Sequence, residues 1–295
     1  MKKVLITGGT GFIGKTLIRK LFRLDFDIFV LARKEEDISK IKSMVNIVYS
    51  DYSSTSLDKV FPSNIDAIIH LAWAGVNGPL KSDESVQSNN IDLALRVAEA
   101  AVNNKVKRFV GIGTITELAY LNNKDNKSPT IIYGKYKYLC FQRLKDCFSQ
   151  STTKFVWLRL ANLYGIDNLS GNILGYTFQK LGNNESAEYG PCDQYYDFVY
   201  IDDEIDAITR FLMVNSYDKD NYYLGSNQPM ILKKYITLIG NLLDKNDLIK
   251  IGARPNDNIK YNKEMFNSND AFHTIGNYIT KDFNDRIETL YKSIK

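Results

Sequence analysis

A tyrosine and a lysine four residues apart, Tyr133 and Lys137, form the pair in this sequence best suited to moving a proton. On a helix, residues i and i+4 share a face, so both side chains can meet one ligand. An ammonium beside a phenol favours the phenolate and lowers its pKa towards working pH, which makes tyrosine a usable proton donor and acceptor. The spacing Y-x-x-x-K occurs four times, starting at Tyr120, Tyr133, Tyr176 and Tyr291. Position separates them. Tyr291 is close to the last residue, Tyr120 opens a polar stretch (YLNNKDNKS), and Tyr176 lies past the region of regular strands. Only Tyr133 is expected near the start of a helix between two apolar strands, with a hydroxyl upstream. That hydroxyl is Thr114, after FVGIG. It can hydrogen-bond a carbonyl or alkoxide oxygen and stabilise charge developing there. A strand-end cap is the other reading of Thr114, and Thr116 is close enough to compete with it.

The elements that must hold these residues alternate. Val4-Leu5-Ile6, Ile28 to Leu31, Asn46 to Tyr49, Ile65 to Leu71, Phe109 to Ile112 and Phe155 to Leu158 read as apolar strands. Between them, Phe12 to Arg23 reads as a helix with Ile13, Leu17, Leu21 and Leu24 near one face. Ser85 to Asn103 is a second helix, and a third runs from Pro129 to about Phe148. Continuously apolar strands are buried on both faces, and alternation with helices makes them parallel. The expected class is therefore α/β, an open, doubly wound parallel sheet of the Rossmann kind, and such sheets bind ligands at the carboxyl ends of their strands. After about residue 162 the pattern loosens. Residues 1–165 are read as a dinucleotide-binding domain, to which some later segments return, and 166–295 as mainly a smaller substrate-binding region.

The glycine loop supports the same reading. Thr7-Gly8-Gly9-Thr10-Gly11-Phe12-Ile13-Gly14 follows the first strand and opens the first helix. Gly8, Gly11 and Gly14 permit a tight turn and let backbone N–H groups approach a pyrophosphate, to which the helix N-terminus adds partial positive charge. The second strand ends Leu31-Ala32-Arg33. An acidic residue there would favour NAD; an arginine can pair with a 2′-phosphate or stack on adenine, which favours NADP over NAD. Asp51 and Leu71-Ala72-Trp73 sit at strand ends along the expected path of the adenine and second ribose, with a cap or turn as the alternative for Asp51. His70, ending an apolar strand, reads as a packed core residue.

Composition narrows the classes. The 295 residues are 44% hydrophobic, with a net charge of +4. The lysines are scattered, so nucleic acid is not the expected partner. The three cysteines, Cys140, Cys147 and Cys192, form no C-x-x-C pair, and there are only two histidines, His70 and His273. No metal site and no His-based triad is expected. No signal peptide and no apolar run of about 20 residues is read, so the expectation is a cytoplasmic protein without a membrane partner.

Taken together, these residues resemble the extended short-chain dehydrogenase/reductases, in the group of nucleotide-sugar epimerases, dehydratases and reductases. TGGTGFIG, with Phe12 and Ile13, looks like the family's cofactor loop, and Asp51, with Tyr52 beside it, matches an acidic residue after the third strand. HLAWAG resembles His-Leu-Ala-Ala, and Asn90 stands where the family has an asparagine opening its long fourth helix. Thr114, Tyr133 and Lys137 match the catalytic Ser/Thr, Tyr and Lys. Arg159 to Gly165 resembles R-x-x-N-x-Y-G, which implies that Asn162 faces substrate and Leu163 touches the nicotinamide end. Asp197 to Asp203 resembles D-F-V-x-V-x-D, Tyr223-Leu224-Gly225 resembles Tyr-Asn-Ile-Gly, and Arg254-Pro255 resembles an Arg-Pro whose arginine grips the nucleotide diphosphate. Thr116 and Tyr196 complete the expected substrate residues, although the family often has arginine in place of Tyr196.

The resemblance implies a nucleotide-sugar substrate and a homodimer formed through the long helix and the tyrosine helix. Ala94, Leu95, Ala98, Ala101 and Val102 could serve that interface or simply pack on the sheet. Dehydratases of the group carry Asp-Glu directly after the threonine. Here Ile115-Thr116 follows Thr114 and Glu117 comes one place late, which disfavours dehydration. The expected activity is NADPH-dependent reduction of a nucleotide-linked 4-keto-6-deoxy sugar. The alternatives are a C4 epimerase retaining NAD and, in another class, a non-catalytic dinucleotide sensor.

Overall fold

The computed structural model describes residues 3–52, 57–169, 171–256 and 258–294. Its first strand, β1 (Lys3–Thr7), turns Val4 and Ile6 to one face and Leu5 to the other, all buried. A strand buried on both faces belongs inside a sheet covered by two layers of helices. The chain continues through α1 (Phe12–Arg23), β2 (Asp27–Ala32), β3 (Asn46–Tyr49), α2 (Leu57–Val60), β4 (Ala67–His70), α3 (Glu84–Asn103) and β5 (Arg108–Thr114). A short helix, α4 (Thr116–Asn122), precedes α5 (Pro129–Phe148) and β6 (Lys154–Leu160). There follow β7 (Asn162–Tyr164), α6 (Ile173–Gly182), β8 (Ala187–Glu188), β9 (Tyr195–Tyr196), β10 (Phe198–Tyr200), α7 (Ile201–Met213) and β11 (Asn221–Leu224). The last elements are β12 (Met230–Ile231), α8 (Leu232–Leu243), β13 (Ile249–Lys250), α9 (Asn269–Ile275) and α10 (Phe283–Ile294).

Seven strands form one parallel sheet in the order β11-β6-β5-β4-β1-β2-β3. The order reverses at β1 and β4, as in the doubly wound Rossmann arrangement, and a crevice opens there above the strand ends. Leu17, Ile18 and Leu21 of α1 and Ile205, Ile208 and Phe211 of α7 cover one face. Ile91, Val97 and Ala98 of α3 and Phe141 and Leu144 of α5 cover the other. β11 and α7, both after residue 165, belong to this layer structure. A further core, centred on Leu174, Phe178, Tyr235 and Ile239, joins α6 and α8 beside the sheet.

Several boundaries differ from the sequence reading. β4 covers Ala67–His70 only, because Asp66 accepts from the Lys3 N–H at 3.0 Å and Leu71 turns towards Thr7. Tyr120 lies on α4, not in a polar loop. Leu24 caps α1 and is exposed, and the buried face of that helix is Gly14, Leu17, Ile18 and Leu21. On α3, Ala94, Ala98 and Ala101 are wholly buried against the sheet within the chain, and Leu95 and Val102 are half-buried. No helix among the described residues is long and apolar enough to cross a membrane. Nor do the described residues contain a group of three or more His, Cys, Asp or Glu able to hold a metal.

Candidate active site

α5 begins on a complete cap. The Ser128 side chain accepts from the Ile131 N–H and Pro129 occupies the first turn, where its missing N–H costs nothing. Tyr133 and Lys137 lie one turn apart on the same face of this helix. Lys137 is buried, and its Nζ donates to the Ile112 carbonyl of β5 at 2.8 Å. Burial draws its pKa down to about 8. Tyr133 is half-buried at the crevice. Burial pushes its phenol up, and the negative charge of Glu117 adds to the rise. The expected lowering by Lys137 is not realised here, since the ammonium is turned to a carbonyl and an aromatic face.

That face is Trp73. Lys137 Nζ lies 3.9 Å from its ring centroid, and the Tyr133 ring meets the indole edge to face at 6.3 Å and 87°. Trp73 is held by its Nε1–H, which donates to Gln87 Oε1 at 2.8 Å. Gln87, wholly buried on α3, donates in turn to the carbonyls of Gly75 and Leu80 at 3.0 Å each. Asn90, one turn on, uses its whole amide on Ala74: Oδ1 accepts from the N–H at 2.8 Å and Nδ2 donates to the carbonyl at 2.9 Å. Asn90 therefore shapes the loop after β4 and does not present its amide to the crevice. The same loop brings Lys81 to the site. Its Nζ stands 5.5 Å from the Tyr133 ring centroid and donates to Thr130 Oγ1 at 3.2 Å, and burial lowers its pKa.

Thr114, the last residue of β5, is half-buried. Its Oγ1 accepts from the Thr116 N–H at 3.3 Å and the Thr116 hydroxyl at 3.0 Å. Thr116 is buried and acts on Thr114, which leaves Thr114 nearer the crevice. The Thr114 N–H donates to Glu117 Oε1 at 2.8 Å. Glu117 is wholly buried and also accepts from Trp157 Nε1 at 2.9 Å and from Arg159 Nε at 2.7 Å. Trp157 and Arg159 both come from β6, so this carboxylate joins β5, α4 and β6. Its oxygens are taken up by the Thr114 N–H, Trp157 and Arg159, although its charge still reaches Tyr133.

The glycine loop packs under the loop after β4. Gly8 has φ +70°, and a Cβ there would stand 2.7 Å from the Ala72 nitrogen; a Cβ on Gly14 would stand 2.4 Å from the Gly8 carbonyl oxygen. Only glycine allows this approach. Gly11 donates its N–H to Gly8 O at 3.2 Å and precedes α1, whose first turn, with Phe12 and Ile13, carries no acidic residue to oppose an anion. Leu71 and Ala72 tie back to Thr7, through its carbonyl at 3.1 Å and its hydroxyl at 3.2 Å. His70 is buried with Nδ1 2.9 Å from that hydroxyl, and burial lowers it to about 3, so it is a neutral core residue. The cradle fits the diphosphate of a dinucleotide.

At the end of β2, Arg33 is exposed, and its Nε lies 3.3 Å from Glu36 and 3.4 Å from Glu35. Asp51 is exposed beyond β3. The Tyr52 ring is buried and its hydroxyl donates to the Leu31 carbonyl at 2.8 Å, so its side chain is used in packing. Ser53 to Ser56 are not described.

A cavity of about 950 Å³ opens beside β9, lined by Tyr176, Tyr189, Cys192, Gln194, Tyr196 and Arg254 among others. Arg254 lies over the Tyr176 ring at 5.0 Å and donates to its hydroxyl at 2.8 Å. Tyr196 and Arg254 thus share one cavity. Asn162 and Leu163, on β7, are half-buried outside its lining, with Asn162 Nδ2 donating to the Asp197 carbonyl at 3.2 Å. Lys81, Gln87 and Glu36 are the residues that sequence reasoning missed. Each sits in or beside a loop whose path no periodicity describes.

Comparison with known proteins places this geometry. Residues 4–225 match the model of the NAD dependent epimerase/dehydratase family. The chain is 26% identical to the CDP-abequose synthase of Yersinia pseudotuberculosis, over 87% of this chain and 90% of that protein. It is 25% identical to the dTDP-4-dehydro-6-deoxyglucose reductase of Escherichia coli, over 99% and 97%. Its fold is that of the UDP-N-acetylglucosamine 4-epimerase from Bacillus cereus, with a TM-score of 0.80, 19% identity and coverage of 100% and 96%.

Proposed function

We propose that this chain, which belongs to the NAD dependent epimerase/dehydratase family, reduces the ketone of a nucleotide-linked 4-keto-6-deoxy sugar, with NADPH favoured as hydride donor. The observation that carries the reading is the state of Glu117. The family's dehydratases are expected to use an acid/base pair next to the threonine. Here the one nearby carboxylate is buried, ion-paired with Arg159 and bonded to Trp157. The constellation that remains, Thr114, Tyr133 and Lys137, supports proton transfer to an oxygen and nothing that expels water. Of the two relatives named above, one is by name a reductase of dTDP-4-dehydro-6-deoxyglucose and the other a synthase of CDP-abequose, and their similarity over 99% and 87% of this chain supports a nucleotide-linked sugar as substrate.

The bound dinucleotide supplies a hydride to the ketone carbon. Tyr133 gives its proton to the oxygen, which becomes the hydroxyl of the product. Thr114 hydrogen-bonds that oxygen and stabilises its developing charge. Lys137 would hold the nicotinamide ribose and stabilise the phenolate. Gly8, Gly11, Phe12, Ile13 and Gly14 cradle the diphosphate, Arg33 and Asp51 take the adenosine end, and Leu71, Ala72, Trp73 and Leu163 line the path of the dinucleotide. Asn162, Tyr196 and Arg254 take the nucleotide sugar. Residues 1–165 with β11 and α7 serve the dinucleotide, and most of 166–295 serves the sugar. A homodimer would use the outer faces of α3 and α5, with Leu95 and Val102 and not the buried alanines.

The reading is tested by adding NADPH or NADH with a panel of nucleotide 4-keto-6-deoxy sugars and following nicotinamide absorbance. Rapid loss is expected. No loss, with NAD released when the protein is denatured, selects the C4 epimerase instead.

A further inference from the structure

The loop after β2 reads Arg33-Lys34-Glu35-Glu36-Asp37, two cations against three anions. Glu36 is drawn inwards, its side chain 18% exposed against 70% for Glu35. Its Oε2 accepts from the Thr10 hydroxyl of the glycine loop at 2.7 Å. Its Oε1 accepts from the Arg33 backbone N–H at 3.1 Å and from Arg33 Nε at 3.3 Å. A single carboxylate therefore bridges the glycine loop and the arginine, at the place where the adenosine ribose of a dinucleotide passes in this fold.

We propose that Glu36 sets the coenzyme selectivity of this chain: it offsets the charge of Arg33 and offers the ribose hydroxyls an acceptor, so that NADH is also bound and the preference for NADPH is narrowed. The inference rests on the dinucleotide site proposed above but not on the sugar. Arg33 alone would attract a 2′-phosphate by charge and could only donate a neutral hydrogen bond to a free hydroxyl, leaving the hydroxyl proton without an acceptor. With Glu35 and Glu36 against it, the immediate cluster is net negative, and a phosphate ester brought there meets repulsion. A ribose diol meets the opposite situation, because its hydroxyls donate and a carboxylate accepts. The preference for NADPH that Arg33 confers is therefore reduced, not abolished. The Thr10 bond keeps the carboxylate in place, so the effect belongs to Glu36 more than to the exposed Glu35.

The test is binding of NADPH and of NADH, without sugar, to the full chain, read by nicotinamide fluorescence. Removing one like charge at a partly screened site, as in E36Q, is expected to raise the NADPH-over-NADH affinity ratio by about tenfold. In R33Q the ratio is expected to fall by a similar factor. An unchanged or lower ratio in E36Q overturns the proposal; a lower one would mean that Glu36 orients Arg33 for the phosphate. If E36Q binds neither nucleotide, T10V, which releases the carboxylate from the glycine loop, must raise the ratio, and an unchanged ratio there overturns the proposal as well. A failure of the sugar reading leaves these measurements standing. Wild-type protein that binds neither dinucleotide removes the site itself.

Discussion

Tyr133 has Lys81 over its ring and the Trp73 indole against its edge. As general acid, its removal in Tyr133→Phe is expected to lower turnover by at least about 100-fold, measured as initial rates of NADPH oxidation. Near-normal turnover would mean that another group gives the proton. Lys81 has no carboxylate within ion-pair distance among the described residues, and it is partly desolvated beside the ring. An ammonium so placed favours the phenolate that forms as the proton leaves. Lys81→Met is expected to lower kcat by about tenfold and to move the alkaline limb of the reductive pH profile upwards, because the tyrosine then loses its proton less readily. A profile superimposable on wild type would confine Lys81 to structure. At this scale the places of Tyr133 and Lys137 on α5 and of Thr114 at the end of β5 were legible, because helix spacing and strand order both constrain them. Lys81 and Gln87 were not, since what gives them meaning is the fold of the loop after β4. Asn90 was legible as a position but not as a role: its amide is spent on Ala74.

Among the elements, the contact of α4, α5 and β6 decides where the tyrosine sits. Gly134, next to Tyr133, meets α4 so closely that a Cβ would lie 2.2 Å from the Thr116 carbonyl oxygen. Gly134→Ala must push α5 outwards, at a cost of about 1–3 kcal/mol by denaturant unfolding, and it is expected to reduce turnover by moving Tyr133 as well. Full activity in this variant would show that the position of α5 is not critical. Glu117 holds the other side. Glu117→Gln leaves Arg159 buried without its counter-charge and is expected to cost about 3–5 kcal/mol, read from the urea midpoint. A free catalytic acid, by contrast, could be removed with little loss of stability. The strands and long helices were readable from apolar runs and caps. α4 was missed because a seven-residue helix carries too few turns for a periodic signal and its sequence ends in polar residues. That omission left Tyr120 assigned to a loop.

For the whole molecule, one buried carboxyl should govern the response to pH. Both carboxyl oxygens of Glu204, on α7, are buried, and among the described residues only the Ala161 backbone works to favour their charge. Burial, with the charge of Asp197 behind it, holds the pKa well above the usual carboxylate range. A raised folded-state pKa means that the native state keeps a proton which the unfolded chain releases. Stability is then fully present below the ordinary value of 4.5 and falls as pH rises towards the folded-state pKa, by up to about 1.4 kcal/mol per pH unit. Unfolding followed upwards from pH 4.5 should show wild type weakening with pH and Glu204→Gln weakening less; equal slopes would contradict this. The doubly wound sheet was legible at this scale because buried parallel strands have little freedom in sequence. The cavity beside β9 was not, because α6, α8 and the loop carrying Arg254 meet only through tertiary packing. The central claim is that one hydride passes from coenzyme to sugar carbon in each turnover. The most direct measurement uses NADPH carrying deuterium at the transferred position with a nucleotide 4-keto-6-deoxy sugar. One deuterium on C4 of the product is expected for each NADPH consumed. A product without deuterium, or a sugar whose C4 configuration changes with no NADPH consumed, would contradict it.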